Sequence, residues 1–245
     1  MDNLFLCEYL GTPPRHSKFI DQVDRVFRKV IPWIRIGSYW RGQMASIESR
    51  MNLFHLANQV LLMQIEGDFV EVGCHAGEST VILKKILREK DSSRNLYAFD
   101  SFQGVPESVN ADEGVYKKGD MSASLEKFNK HFEQVGLDKP ITIPGWFVDT
   151  LESSLPGKIA FALIDADLYN STLFALQNVY PRLSPGGICL MGVYWDPNTK
   201  VEMTTDPNYK SPGVKKACDE FLADKPQKVN ILIAGNYTSA YFRKV

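Results

Sequence analysis

The sequence predicts an α/β fold, a mostly parallel sheet with helices on both faces and an antiparallel hairpin at its C-terminal end. Three observations predict it. From residue 69 onward, short apolar runs alternate with stretches of helical periodicity, the pattern of strand–helix–strand units. The run 159–164 (IAFALI) is apolar without alternation, as a strand covered on both faces requires. The last two strand-like runs, 229–233 and 239–242, are joined only by residues 234–238. That link is too short for a parallel crossover, so the two runs pair antiparallel.

Taken in order, residues 1–16 read as an arm with Gly11-Thr12-Pro13-Pro14 as breakers. Over 18–31, Phe19, Ile20, Val23, Val26, Phe27 and Val30 recur at helical spacing, and Pro32 closes the pattern. A second helical pattern covers about 47–65, through Met51, Leu53, Phe54, Leu56, Val60 and Leu61. Residues 1–66 therefore form an N-terminal arm and helical cap, and 67–245 one compact sheet domain. In that domain Phe69-Val70-Glu71-Val72 is a buried strand and about 78–88 a helix. A strand at 96–99 follows, then a helix over 124–135 entered from a serine-rich cap with Glu126 in its first turn. Strands at 141–143 and 159–164, a helix over 171–180, a turn at 185–187, a strand at 188–191 and a helix over 214–222 lead to the hairpin. The least regular stretch is 195–212, rich in Asp, Asn, Thr and Pro, and long loops in compact domains are often lids or binding loops.

Composition narrows the function. At 245 residues the chain fits one large domain, and 44% hydrophobic with 23% charged residues is globular rather than disordered. A formal net charge of −1 gives no basic excess for nucleic acid. No run approaches the ~20 apolar residues of a membrane span, and the start lacks the basic, apolar pattern of a signal peptide. The four cysteines Cys7, Cys74, Cys189 and Cys218 form no C-x-x-C pair. They read as reduced thiols of a cytoplasmic protein rather than as a zinc or redox site.

Three motifs carry chemistry. In DFVEVGCHAGEST (68–80) a strand runs into Gly73 and a helix begins soon after Gly77. Glycine lets a ligand approach the backbone and the helix start offers free N–H groups, although a tight structural turn needs glycine equally. The spacing is not G-x-G-x-x-G, which argues against a nicotinamide-dependent oxidoreductase. Asp100 ends the second strand, where a carboxylate can accept both ribose hydroxyls, or act as a turn or cap residue. In IDADLY (164–169), Asp165 and Asp167 follow an apolar strand at its C-terminal end, where paired carboxylates can hold a hard cation or take a proton. The alternative for Asp167 is to cap the following helix. His75 is a contact or a structural residue, His131 faces solvent or packs, and Trp146, Tyr194 and Trp195 form an acceptor wall or belong to the core.

In this order, RMNL (50–53), GDFVEVG (67–73), FDSFQGVPE (99–107), SLEKFNKHFEQVGL (124–137), GWFVDTL (145–151), IDADLYNST (164–172) and YPRLSPGG (180–187) resemble the TylF/macrocin family of sugar O-methyltransferases. The resemblance runs from about Met44 to Phe221. It implies a Rossmann-like class I methyltransferase sheet of seven strands, the last antiparallel, and S-adenosylmethionine as cofactor, usually with magnesium. It implies that Glu71, Gly73 and Ser79 line the cofactor pocket, that Asp100 holds the ribose beside Ser101, and that Gly145-Trp146-Phe147 approach the adenine. Met44 becomes a cap residue over the cofactor, Asp165 a magnesium ligand at the cofactor edge and Asp167 the general base. A small-molecule acceptor and a homo-oligomer are implied as well.

One departure stands out. The family usually follows its SPGG strand with an Asp-Asp pair that completes the metal site, and here those positions are Gly192-Val193. One carboxylate plus waters binds magnesium poorly, so a weak or absent metal site is expected unless Asp196, Glu202 or Asp206 of the long loop restores a ligand. Without a metal, either the acceptor is expected to be more acidic than a sugar hydroxyl, such as a phenol, enol or amine, or the long loop supplies another group. The competing reading is a cofactor-binding protein of this fold that has lost methyl transfer or runs a different reaction.

Overall fold

The computed structural model of the chain describes residues 45–108, 112, 115–195, 211–235 and 237–245. The expected arm, the helix at 18–31, Met44 and the loop carboxylates Asp196, Glu202 and Asp206 lie outside the described residues. The chain divides into two compact units, Met1–Ser46 and Ile47–Val245, and the second carries the whole sheet.

Its elements, in order, are α1 (Ile47–Leu62), β1 (Asp68–Val72), α2 (Glu78–Lys90), β2 (Leu96–Asp100), α3 (Leu125–Val135), β3 (Ile141–Pro144), α4 (Phe147–Ser154), β4 (Ile159–Ile164), α5 (Tyr169–Arg182), β5 (Leu183–Met191), α6 (Pro212–Leu222), β6 (Asn230–Ile233) and β7 (Thr238–Arg243). The seven strands form one sheet in the order β3-β2-β1-β4-β5-β7-β6. The first five run parallel; β7 is antiparallel to both β5 and β6, which makes the expected hairpin. Strand order reverses between β1 and β4. In an open α/β sheet that switch opens a crevice at the carboxyl ends of the strands.

The core explains why these runs became strands. All six residues of β4 are buried. Val70, Val72, Ala162, Ile164, Cys189 and Met191 share one face and pack with Leu151 of α4 and with Ala175, Leu176, Val179, Val214 and Cys218 of α5 and α6. Phe69 and Phe161 meet across β1 and β4 with ring centroids 5.4 Å apart. Each such side chain contributes about 1.5–3 kcal/mol by leaving water.

The structure departs from the sequence reading in three places. Phe147–Ser154 forms a helix that the reading omitted: its eight residues span two turns, with Leu151 buried and Val148 65% exposed, too short for a periodic signal. The expected turn at 185–187 lies inside β5, which begins at Leu183. The pairing of β4 with β5 shifts register between Ile159 and Phe161, and such an irregularity accommodates Pro185, which has no N–H for a ladder. Finally, α5 begins at Tyr169 with Leu168 as its cap residue, so Asp167 is not the cap.

Candidate active site

The site is built where the strand ladders overrun their ends. Gly73 N–H donates to the Phe99 carbonyl at 2.8 Å, Asp165 N–H to Val72 at 2.8 Å, Gly192 N–H to Ile164 at 2.9 Å and Gly145 N–H to Asp100 at 2.9 Å. These bonds fix the first residue after each of β1, β4, β5 and β3. Gly73 sits at φ +92°, and a Cβ there would fall 2.1 Å from the Asp165 carbonyl oxygen, so only glycine lets the two turns close.

Asp100 joins the next two turns. Its Oδ2 accepts from the His75 backbone N–H at 2.8 Å and its Oδ1 from Phe102 N–H at 2.7 Å. The turn role considered for Asp100 is therefore present, and each oxygen keeps a further lone pair that can face the crevice. Ser101 turns its hydroxyl into its own loop, donating to the Gly104 carbonyl at 2.8 Å. Trp146 is half-buried at the start of α4, beside Gly145 and hence next to Asp100. His131 places Nδ1 2.9 Å from the Ala76 carbonyl, which is a structural tie between α3 and the turn after β1. The His75 imidazole is held below its usual range by burial and by Lys127 nearby.

Glu71 is fully buried. Ser79, on the first turn of α2, donates its hydroxyl to Oε1, and Oε2 has no hydrogen-bond partner within the protein. Burial pushes this carboxyl up to about 7; Asp165 and Asp100 add to the rise, and the Ser79 bond opposes it. Arg50, 5% exposed, pairs with Glu78 at 2.9 Å and docks α1 on the start of α2. The sequence reading gave Arg50 no role, because one arginine in an amphipathic helix is ordinarily a surface residue.

The acidic pair lies across the switch point. Burial raises the Asp165 carboxyl to about 6. Asp167 adopts a left-handed backbone, φ +58°, and its carboxyl stands well above the usual range because of burial and the charges of Asp165, Asp100 and Asp112. The Asp165 carboxylate lies directly over Gly192: a Cβ at that position would come 2.4 Å from Oδ1 and 2.5 Å from Cγ. The space a second carboxylate would need is thus filled by the first. No group of three or more His, Cys, Asp or Glu side chains among the described residues is arranged to hold a metal ion. The donors present do not fit the three-carboxylate magnesium site that the resemblance implied. Tyr194 is core rather than acceptor wall, 3% exposed with its hydroxyl donating to Asp219 at 2.6 Å; Trp195 is half-buried.

Glu71 gives a pH prediction. Its folded value, about 7, lies above its ordinary 4.5. The folded state therefore holds this proton more tightly, and the stability linked to it is complete below about pH 4.5 and lost as pH rises to 7. Relative to Glu71→Gln, the native chain is expected to lose roughly 3 kcal/mol over that window. Urea unfolding of both proteins at pH 4.5, 6 and 8 measures this; parallel curves would refute it.

Comparison with known proteins places the chain in a family. Residues 41–225 match the family model of macrocin-O-methyltransferase (TylF). The chain is 36% identical over 162 residues to an 8-demethyl-8-(2,3-dimethoxy-α-L-rhamnosyl)-tetracenomycin-C 4'-O-methyltransferase of Streptomyces olivaceus, covering 62% of each chain. It is 31% identical over 166 residues to a mycinamicin III 3''-O-methyltransferase of Micromonospora griseorubida, covering 63% of this chain and 65% of that one. The chain thus spans less than two thirds of the length of these curated relatives. The solved O-methyltransferase NovP shares the fold, with a TM-score of 0.68 at 23% identity over 94% of this chain and 99% of its own. With a seven-stranded class I methyltransferase sheet and a family match over most of its length, the chain belongs to the macrocin-O-methyltransferase (TylF) family.

Proposed function

We propose that this chain is an S-adenosylmethionine-dependent O-methyltransferase acting on a small natural-product or sugar-like acceptor, without a protein-held magnesium ion. The observation that carries the reading is one crevice: backbone bonds join the ends of β1, β2 and β4, and the Asp100 carboxylate at the end of β2 holds the His75 amide of the turn after β1. Glu71, Gly73, Ser79 and the start of α2 form the cofactor side. Asp100 would hold the ribose, with Ser101, Gly145 and Trp146 beside it. Three free cysteines, Cys74, Cys189 and Cys218, are all buried, which supports a reduced, cytoplasmic setting. No helix among the described residues is long and apolar enough to cross a membrane.

The cofactor supplies an electrophilic methyl group, so the protein's task is alignment and proton management. Asp167 takes the acceptor's proton on its carboxylate. Burial and its acidic neighbours make Asp167 a stronger base than an ordinary aspartate once ionised. Gly192 offers no ligand to a magnesium ion, and Asp165 occupies the space a side chain there would need. A more acidic acceptor, a phenol or enol, would ease the demand on Asp167. The same substitution also favours a second reading, a cofactor-binding protein of this fold that no longer transfers methyl groups.

Calorimetric titration with S-adenosylhomocysteine comes first. Binding is expected, and Asp100→Asn is expected to weaken it about 10- to 100-fold, the worth of hydrogen bonds to a charged group. No binding to the native chain would end the methyltransferase reading. Labelled methyl transfer to p-nitrophenyl α-L-rhamnoside and to 4-nitrocatechol then separates a sugar hydroxyl from an acidic phenol. The rate is expected to be the same with magnesium and with chelator, and Asp167→Asn to lower it roughly 10²- to 10⁴-fold with cofactor affinity unchanged. A rate that chelator abolishes would refute the metal-free site; cofactor binding with neither acceptor nor any other turned over would favour the second reading. We infer also that the chain self-associates, since Leu62, Met63, Ile231 and Ile233 present apolar side chains to solvent. Light scattering that finds only monomer would contradict this.

A further inference from the structure

Asp112 lies in the connection between β2 and α3, outside every motif described above. It is 2% exposed, and its Oδ2 accepts from the Tyr169 backbone N–H, the first of α5, at 2.6 Å. The other oxygen, Oδ1, has no hydrogen-bond partner within the protein and faces Gly213 in the first turn of α6. It sits so close that a Cβ on Gly213 would fall 2.0 Å from Oδ1. Neither helix makes a side-chain cap bond at its own cap residue: Leu168 has no polar atom, and Ser211 does not cap α6. Two helix N-termini thus converge on one buried carboxylate, and their positive ends offset the cost of burying it. A second tie runs in parallel. Ser211, 1% exposed, has its hydroxyl 3.3 Å from that of Tyr116, whose carbonyl accepts from the Ser108 hydroxyl at 2.8 Å.

The placement matters because Tyr169 follows Asp167 by two residues. The amide that Asp112 holds terminates the turn in which Asp167 takes its left-handed backbone. Leu168 N–H closes the same turn on the Ala166 carbonyl at 2.6 Å.

We propose that Asp112 is a positioning residue: a clamp that ties the β2–α3 connection to the first turns of α5 and α6 and so fixes the backbone that presents Asp167. That the clamped turn serves a methyl acceptor rests on the methyltransferase reading; the clamp itself does not. Hydrogen exchange read by mass spectrometry on the full chain tests it, with S-adenosylhomocysteine calorimetry on the same samples. Asp112→Ala is expected to speed exchange roughly tenfold or more in peptides covering residues 166–172 and 211–216, the loss of a charge-assisted bond. Peptides covering 68–90 and cofactor affinity should stay within about twofold, on the same reasoning that the loss is local. Asp112→Asn keeps one acceptor and is expected to restore protection at 166–172 while leaving 211–216 fast. Gly213→Ala presses a Cβ into an unaltered Asp112 and should give the same local signature, and the double variant should add nothing to it. A uniform rise across all peptides, an unchanged 166–172 segment in Asp112→Ala, or a silent Gly213→Ala would overturn the clamp. The local signature together with no cofactor binding would retain the clamp and remove the methyltransferase reading.

Discussion

The close approach of the β1 and β4 ends is the constraint on which the site depends. The Gly73 Cα passes so near the Asp165 carbonyl that no side chain fits between them. Asp165 N–H in turn closes on Val72 at 2.8 Å. Sheets hold their strands about 4.8 Å apart, and here that spacing is kept for one residue beyond each strand, so the turns leave the sheet at fixed height and phase. The turn after β1 and the acidic turn after β4 are therefore two parts of one rim. Asp100 extends the rim by holding the His75 amide, and Gly145 extends it again by bonding back to Asp100.

Most of the fold was legible because burial leaves a direct imprint on composition. A strand covered on both faces has to be apolar throughout, and IAFALI at β4 is buried at every position. The hairpin was legible from connection length alone. What escaped the reading was structure without a periodic trace. The two-turn helix Phe147–Ser154 buries Leu151 and little else of its own, and β5 extends through a Pro-Gly-Gly stretch whose local chemistry says turn. In that case pairing with β4 overrode propensity.

The site was legible to the extent that its residues lie next to strand ends. Glu71, Gly73, Asp100, Asp165 and Asp167 all do, and the topology gathers them. Asp112 was not legible, because its role depends on two helix starts 57 and 101 positions further along the chain (169 and 213 against 112), in a segment with no periodicity. Its burial is what reveals it: a carboxylate 2% exposed needs compensation, and the N-termini of α5 and α6 supply it. Asp167 was open to two readings as sequence, cap or base. The structure removes the first, since the α5 amide that a cap would take is already bonded to Asp112.

Gly192, where the resemblance implied a carboxylate, bears on the electrostatics of the crevice as well as on its possible metal ligands. With no side chain at 192, the half-buried Asp165 places its carboxylate over the backbone there, and desolvation raises that carboxyl. Among the described residues, no lysine, arginine or histidine forms an ion pair with Asp100, Asp112, Asp165 or Asp167. Burial, and then the charges of Asp165, Asp100 and Asp112, raise the Asp167 carboxyl, and such an acidic set favours a cationic guest. On the proposed reading, the positive sulfonium of the cofactor meets that preference and its neutral product does not. On the same reading, uptake of the acceptor's proton by Asp167 would remove one negative charge from the cluster as the sulfonium charge is lost. The net charge of the crevice would then be the same before and after transfer, and no counterion would have to move in a site where burial makes uncompensated charge costly.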